Sequence, residues 1–223
     1  MRTRVLSMAR RTRYAAIAVL ALGTATPALA QYSYSVYPAT TDRPLRWQLY
    51  TGAGITTGNT SDFFQDGWLF GGGLTWYPDL RVPLGLRTDI NFAQFNATNQ
   101  LLSLTQSYDG HQHVWSWDFD LEWDLHLTPH ARAYFLAGIG PANRTVDLHY
   151  GYAPVYCNPY YGYCYGYGYG NSTSDTYFAW NAGAGLEWDV WAGASLFIDA
   201  RYMSFGPSGS TTEFVPLRVG LRF

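Results

Sequence analysis

The chain has 223 residues, 14 of them basic against 16 acidic, and every base is an arginine. A formal charge of −2 offers no basic footprint for a phosphate backbone, which excludes a nucleic-acid partner. Aromatic residues make up 18% and charged residues only 13%, a poor match for the surface of an ordinary soluble domain.

Residues 1–30 read MRTRVLSMARRTRYAAIAVLALGTATPALA: an arginine-rich start, a short apolar run from Ala15 to Leu22, and a small-residue ending at Ala30. This is the pattern of a cleaved secretory signal peptide, and its apolar run is too short to span a bilayer as a helix. Cleavage removes five arginines and no acid, moving the formal charge to −7. No later stretch reaches the roughly 18 apolar residues of a transmembrane helix. In an exported chain Cys157 and Cys164 are expected to pair as a disulfide.

Period-two alternation predicts eight strands, near 46–56, 67–77, 84–95, 113–127, 131–143, 176–188, 194–205 and 213–223. Helical spacing is nearly absent. In the fourth, VWSWDFDLEWDLHL, odd positions from Trp115 to Leu127 are Trp, Phe or Leu, and even positions carry Asp118, Asp120, Glu122, Asp124 and His126. The sixth sets Phe178, Trp180, Leu186 and Trp188 against Asn181 and Glu187; the seventh sets Leu196, Ile198 and Tyr202 against Asp199 and Arg201. The eighth sets Val215, Leu217, Val219, Leu221 and Phe223 against Arg218 and Arg222. The glycine-rich second and fifth strands leave their phase open.

Connections 78–83, 128–130 and 189–193 are short, while 57–66, 96–112, 144–175 and 206–212 run mostly longer. Short turns at one end and long loops at the other are the outer-membrane pattern, with both chain ends on the periplasmic side. Residues 31–45 then read as a periplasmic lead-in and 46–223 as the barrel domain. An eight-stranded interior is only just wide enough for side chains, so large aromatics at every inward position would not fit. The inverted arrangement, aromatics toward lipid and the polar row toward a narrow lumen, solves this. It places Trp47, Trp76, Trp188 and Phe223 near the short-turn ends. Trp68, Trp115, Trp117, Phe178, Trp180 and Tyr202 fall near the long-loop ends, which makes two interfacial belts. The expected fold is all-β: an eight-stranded antiparallel up-and-down transmembrane barrel with periplasmic termini and long outer loops.

The stretches LTPHARAYFLAGIGPA (127–142) and AGAGLEWDVWAGASLFIDARYMSF (182–205), with the terminal VGLRF, resemble the small outer-membrane β-barrel family that includes OmpX, the barrel domain of OmpA and the opacity proteins. The resemblance implies a place in the bacterial outer membrane, with membrane lipid and lipopolysaccharide as partners. It also implies that Phe223 serves as an assembly signal for the barrel-assembly machinery. It implies no activity and no cofactor, and no peptidoglycan-binding domain like the one that follows the barrel of full-length OmpA is expected.

The lumen-facing candidates are Arg87, Asp89, Asn91, Asp118, Asp120, Glu122, Asp124, His126, Arg132, Glu187, Asp199, Arg201, Arg218 and Arg222. Charges in a narrow interior must pair, and the planar arginine fork can bridge two carboxylates. This set reads as a salt-bridged plug, with a gated ion path as the alternative. Asp89, His126 and Ser116 or Ser195 can be written as a triad, but no His-x-Ser pair stands at a lipid-facing strand end, and no catalytic set is expected. A lipid-modifying enzyme is the weakest reading. His111 and His113, in DGHQH, could grip a metal beside Asp109, but too few ligands are present, and they read as solvated loop histidines with no metal site.

The third outer loop, HYGYAPVYCNPYYGYCYGYGYGNSTSD, holds nine of the 19 tyrosines between Tyr150 and Tyr169. Tyrosine gives broad amphipathic contact with few torsions to freeze. A Cys157–Cys164 bridge would present Tyr160, Tyr161 and Tyr163 at a tip, a candidate surface-ligand contact. The function read from the sequence is therefore structural or adhesion-like surface interaction.

Overall fold

The computed structural model describes residues 44–79, 82–150, 156–158, 163–165, 169–191, 193–207 and 211–223. Residues 1–43, and with them the expected signal peptide and most of the lead-in, lie outside the described residues, as do Tyr160 and Tyr161.

Strands β1 (Leu45–Thr56), β2 (Gly67–Trp76), β3 (Leu84–Asn96), β4 (Ser107–Thr128) and β5 (Ala131–Tyr150) run up and down in chain order. A small hairpin of β6 (Tyr156–Asn158) and β7 (Tyr163–Tyr165) follows, then β8 (Tyr169–Trp191), β9 (Ala194–Phe205) and β10 (Thr212–Arg222). Eight of these close into a barrel in the order β1-β10-β9-β8-β5-β4-β3-β2. Closure leaves no unpaired edge, the condition for crossing a bilayer with strands. The seam joins the two chain ends of the barrel: β1 pairs with β10 from Gln48↔Arg222 to Thr56↔Phe214. Below it, Trp47 and Phe223 exchange both backbone bonds, at 3.1 and 2.8 Å.

The alternation sorts the two faces as the inverted arrangement requires. Trp115, Trp117, Phe119, Leu121 and Trp123 are 49–55% exposed on the outside, while Asp118, Asp120, Glu122 and Asp124 are at most 4% exposed inside. Aromatic groups gather at the loop end, where Phe92 touches Trp68, Phe70 and Trp115 with ring centroids 4.8–5.5 Å apart. An apolar outer surface of this extent belongs against lipid.

The glycines resolve the phase of the second and fifth predicted strands. Gly71 and Gly220 both stand opposite Tyr50 in the ladders, and Gly185 stands opposite Tyr134. A Cβ on Gly185 would fall 2.4 Å from the Tyr134 ring, and one on Gly71 2.7 Å from the Tyr50 hydroxyl. Glycine here is the inward residue that gives a lumen aromatic its space.

Three expected loops are more ordered than the alternation suggested. The 96–112 connection holds a short helix, α2 (Asn99–Thr105), capped by the Thr98 hydroxyl accepting from Leu101 N, and β4 begins as early as Ser107. A one-turn helix, α1 (Thr60–Phe63), lies in the first outer connection. The 144–175 connection is largely ladder: β5 and β8 pair without a break from Ala131↔Trp188 to Tyr150↔Tyr169. Above a bilayer neither face needs to be apolar, so the period-two signal fades while backbone pairing continues.

Candidate functional site

The lumen is divided along its length. In the periplasmic half, inward positions of β1, β3, β4, β5, β8, β9 and β10 are charged. Glu122 accepts from Arg87 Nη1 at 2.9 Å, Arg222 Nη1 at 2.8 Å and the Tyr77 hydroxyl at 3.0 Å. Glu187 accepts from Arg222 at 2.9 Å and Arg46 at 3.5 Å, and also from Arg132. Arg132 reaches across to Asp124 at 3.4 Å.

One layer higher, Asp199 is held bidentately by Arg218 Nε and Nη2, both at 2.6 Å, and by the Tyr134 hydroxyl at 2.9 Å. Arg87 and Arg201 come within 3.8 and 3.9 Å of the same carboxylate. Asp89 accepts from Arg87 at 2.9 Å and Arg201 at 2.6 Å. Arg201 also donates to Asp120 at 2.6 Å. Arg218 lies over the Tyr50 ring at 4.4 Å, a desolvated cation–π contact. Asp118 is held by neutral groups, Asn91 Nδ2 at 2.6 Å and the Ser116 hydroxyl at 3.3 Å.

The structure therefore brings together all the lumen candidates except His126. That residue is exposed at the periplasmic end, opposite Arg132 in the ladder and beside a register shift between His126 and Thr128. It keeps the lumen phase, opposite the inward Arg132, but stands at the open end of the barrel, where it is exposed. It stands away from Asp89, which pairs with Asp118 farther up the same β3–β4 ladder, so the paper triad is not assembled. Sequence reasoning missed Arg46, 4% exposed, together with Gln48, Tyr50, Tyr77 and Tyr134. Arg46, Gln48 and Tyr50 alternate with Trp47 and Leu49, so the signal was present in the first strand.

The outer half of the lumen is mainly apolar, with Gln112 and Thr212 buried among apolar side chains. Leu69, Ala93, Phe95, Val114, Met203, Phe205 and Phe214 are buried there, with Phe95 and Phe214 edge to face at 5.1 Å. Where the two halves meet, Leu69, Asn91, Val114, Ser116, Met203 and Phe214 border a gap of about 10 Å³ to the centre of a water, room for one molecule.

At the outer rim, β4, β5 and β8 rise beyond the upper aromatics. The β6–β7 hairpin beyond them sets position 157 opposite 164. His111 and His113 are strand residues on the outward face of β4, not loop residues, and Asp147 and His149 of β5 stand beside them.

A family model described as outer membrane protein beta-barrel domain matches residues 16–223. Among solved structures, Neisserial surface protein A is similar over 81% of this chain and 96% of its own, at 12% identity and a TM-score of 0.54. A major outer membrane protein from Thermus thermophilus is similar over 81% of this chain and 99% of its own, at 13% identity and a TM-score of 0.52. At these identities the likeness is one of fold. No curated protein matches the sequence.

Proposed function

This chain belongs to the outer membrane protein beta-barrel domain family, and from that premise we propose that it is a plugged outer-membrane scaffold that holds a tyrosine-rich contact loop away from the membrane. The observation that carries this reading is the unbroken β5–β8 ladder. β5 has 20 residues and β8 has 23, whereas a spanning strand needs only about 9–11. The surplus, about nine residues on each strand at ~3.3 Å apiece, makes a stalk ~30 Å along the strands. Its outward side chains are Asn143, Thr145 and Asp147 on β5, facing Thr176, Ser174 and Ser172 on β8. Asn143 donates to Ser174 and Thr176 at 3.2 and 3.0 Å, and Thr145 donates to Ser174 at 3.1 Å. A stalk of this polarity suits water above the bilayer.

In this reading the signal peptide (1–30) is cleaved and 31–45 remains in the periplasm. Phe223 is read by the barrel-assembly machinery, and lipopolysaccharide surrounds the outer rim. A Cys157–Cys164 bridge closes the hairpin, so that Tyr160, Tyr161 and Tyr163 form its contact face. The gated-path alternative has less support, because an ion leaving the charged half would have to cross the apolar one. The test compares cells displaying the wild-type chain with cells displaying a Tyr160→Ser, Tyr161→Ser, Tyr163→Ser variant, on cultured epithelial cells and on immobilised matrix proteins. Equal surface display with reduced attachment of the variant is expected; undiminished attachment removes the loop from the function.

A further inference from the structure

Above the upper aromatic belt, the outward face of β3, β4 and β5 changes composition. The ladders set Gln94 beside His113 and Thr145, Asn96 beside His111 and Asp147, and Asp109 beside His149. Each of these side chains makes hydrogen bonds, and none is an arginine. Rings run through this polar field as a strip. Phe92, at the top of the belt, lies 5.8 Å from His113 between centroids, and His113 lies 6.4 Å from His111. His111 lies 6.2 Å from His149, and His149 lies 6.1 Å from Tyr108, which is 63% exposed at the far end. Every step is within the range of neighbouring aromatic groups.

We propose, on the placement of the stalk above the outer leaflet, that this strip docks the core sugars of the lipopolysaccharide standing beside the barrel. A pyranose ring has C–H faces and a rim of hydroxyls. The C–H face covers an aromatic or imidazole ring, while the rim needs acceptors and donors close by. Asp109 and Asp147 supply acceptors: their side chains stay 50% and 29% exposed although each faces an imidazole, at 3.3 and 3.6 Å. Hydrogen bonds to a carboxylate are the strong ones, and a neutral diol can donate two.

Continuity with the belt decides which sugar. The strip faces outward, and its first ring, Phe92, also touches Trp68, Phe70 and Trp115. An occupant therefore stands beside the barrel, where the headgroups of the same leaflet stand. The charges decide which part of the headgroup is read. The chain has no lysine, and six of the described arginines are ion-paired inside the lumen. Arg144 sits on the inward side of β5, where it donates to Thr212 at 3.1 Å and lies over the Tyr177 ring at 5.4 Å. Lipid phosphates thus meet no guanidinium on the strip, only carboxylates that repel them. Sugar hydroxyls meet partners along its whole length.

The test uses the full-length chain, isotope-labelled in its histidine rings, in lipid nanodiscs at one fixed pH near neutrality. Three of the five histidines lie on the strip, and His126 and His130 at the periplasmic end serve as references. The discs contain either core-bearing lipopolysaccharide or the same lipid cut back to lipid A, which keeps its acyl chains and phosphates. Ring resonances of His111, His113 and His149 should shift with the first lipid and not with the second. The shifts should persist in about 0.5 M salt, which screens exposed charges, while His126 and His130 stay still. Tyr108→Ala and Asp109→Ala should each raise the half-saturating mole fraction of core-bearing lipid about two- to tenfold, the size of one aromatic or charged contact. Every variant is checked for folding by heat-modifiable electrophoretic mobility. The Tyr160→Ser, Tyr161→Ser, Tyr163→Ser variant should keep the full shifts whether or not it attaches to cells, so the strip and the contact loop are judged separately. No shift in the folded protein, equal shifts with lipid A, loss of the shifts in salt or in the loop variant, or shifts undiminished by both strip substitutions would overturn the assignment.

Discussion

At the scale of single residues, Asp199 organises the lumen. It accepts two bonds from Arg218 and one from Tyr134, and it lies within 4 Å of both Arg87 and Arg201. Replacing it with Ala would leave these guanidiniums facing one another with less countercharge in a dry interior. Breaking one side of a buried ion pair costs about 3–5 kcal/mol, so Asp199→Ala should lower stability by at least that much in urea unfolding from lipid vesicles. Gly185 probes the same layer through volume. A Cβ there would meet the Tyr134 ring at 2.4 Å and push its hydroxyl away from Asp199. Gly185→Ala should cost roughly 1–3 kcal/mol in the same measurement, the usual size of an overpacking defect. Most of the network was legible, because Asp118 to Asp124 and Arg218 to Arg222 sit in strict alternation with apolar residues. His126 follows the same alternation and faces the same way as Arg132, but it lies at the barrel's open end, beyond the last ion pair of its strand, and how far the closed interior reaches is not encoded in local pattern. Tyr50 and Tyr134 were not among the lumen candidates, because their inward space is made by glycines on the neighbouring strands, which only the register places opposite them.

At the scale of elements, the transmembrane strands were readable almost to the residue, because lipid on one side and charge on the other impose a period of two. The outer parts of β4, β5 and β8 were not. NRTVDLHY and GNSTSDTY are polar or mixed on both faces, and their pairing rests on backbone bonds that leave no mark in the sequence. One consequence concerns the loop between them. Tyr150 and Tyr169 are already directly paired, so residues 151–168 connect two chain positions that a tight turn could join. Replacing 151–168 with Asn-Gly, the preferred two-residue hairpin turn, should leave barrel folding intact by heat-modifiable mobility while abolishing any loop-dependent attachment. The hairpin carries its own expectation. Directly opposed residues in an antiparallel pair have Cα atoms about 4.5–5.5 Å apart, inside the range a disulfide spans. The thiols at 157 and 164 should therefore resist alkylation until a reductant is added, and rapid alkylation of the untreated protein would show them unbridged.

At the scale of the whole molecule, the question is whether the closed barrel conducts. A continuous water column has two separate obstacles. The periplasmic half is filled by arginines that are at most 2% exposed: Arg87, Arg201, Arg218 and Arg222. The outer half is filled by Phe95, Phe205, Phe214 and Met203, none more than 3% exposed. Between them the gap admits about one water. Because the obstacles lie in series, removing one leaves the other. Arg201→Ala or Arg218→Ala opens space only below the apolar layer, and Phe95→Ser with Phe214→Ser opens it only above the charged one. In planar bilayers the wild-type chain and each of these variants should be silent, whereas Arg201→Ala combined with Phe95→Ser and Phe214→Ser should give discrete openings. Every variant is first shown to be folded by heat-modifiable mobility, so that silence reports the lumen rather than loss of the barrel. Steady wild-type openings that enlarge in Arg201→Ala would mean that the apolar half does not block the path, and the charge network would then be a gate. Silence in the wild type and in the single-layer variants, with current only when both layers are cut, makes the interior a rigid plug and leaves interaction with the surroundings to the stalk.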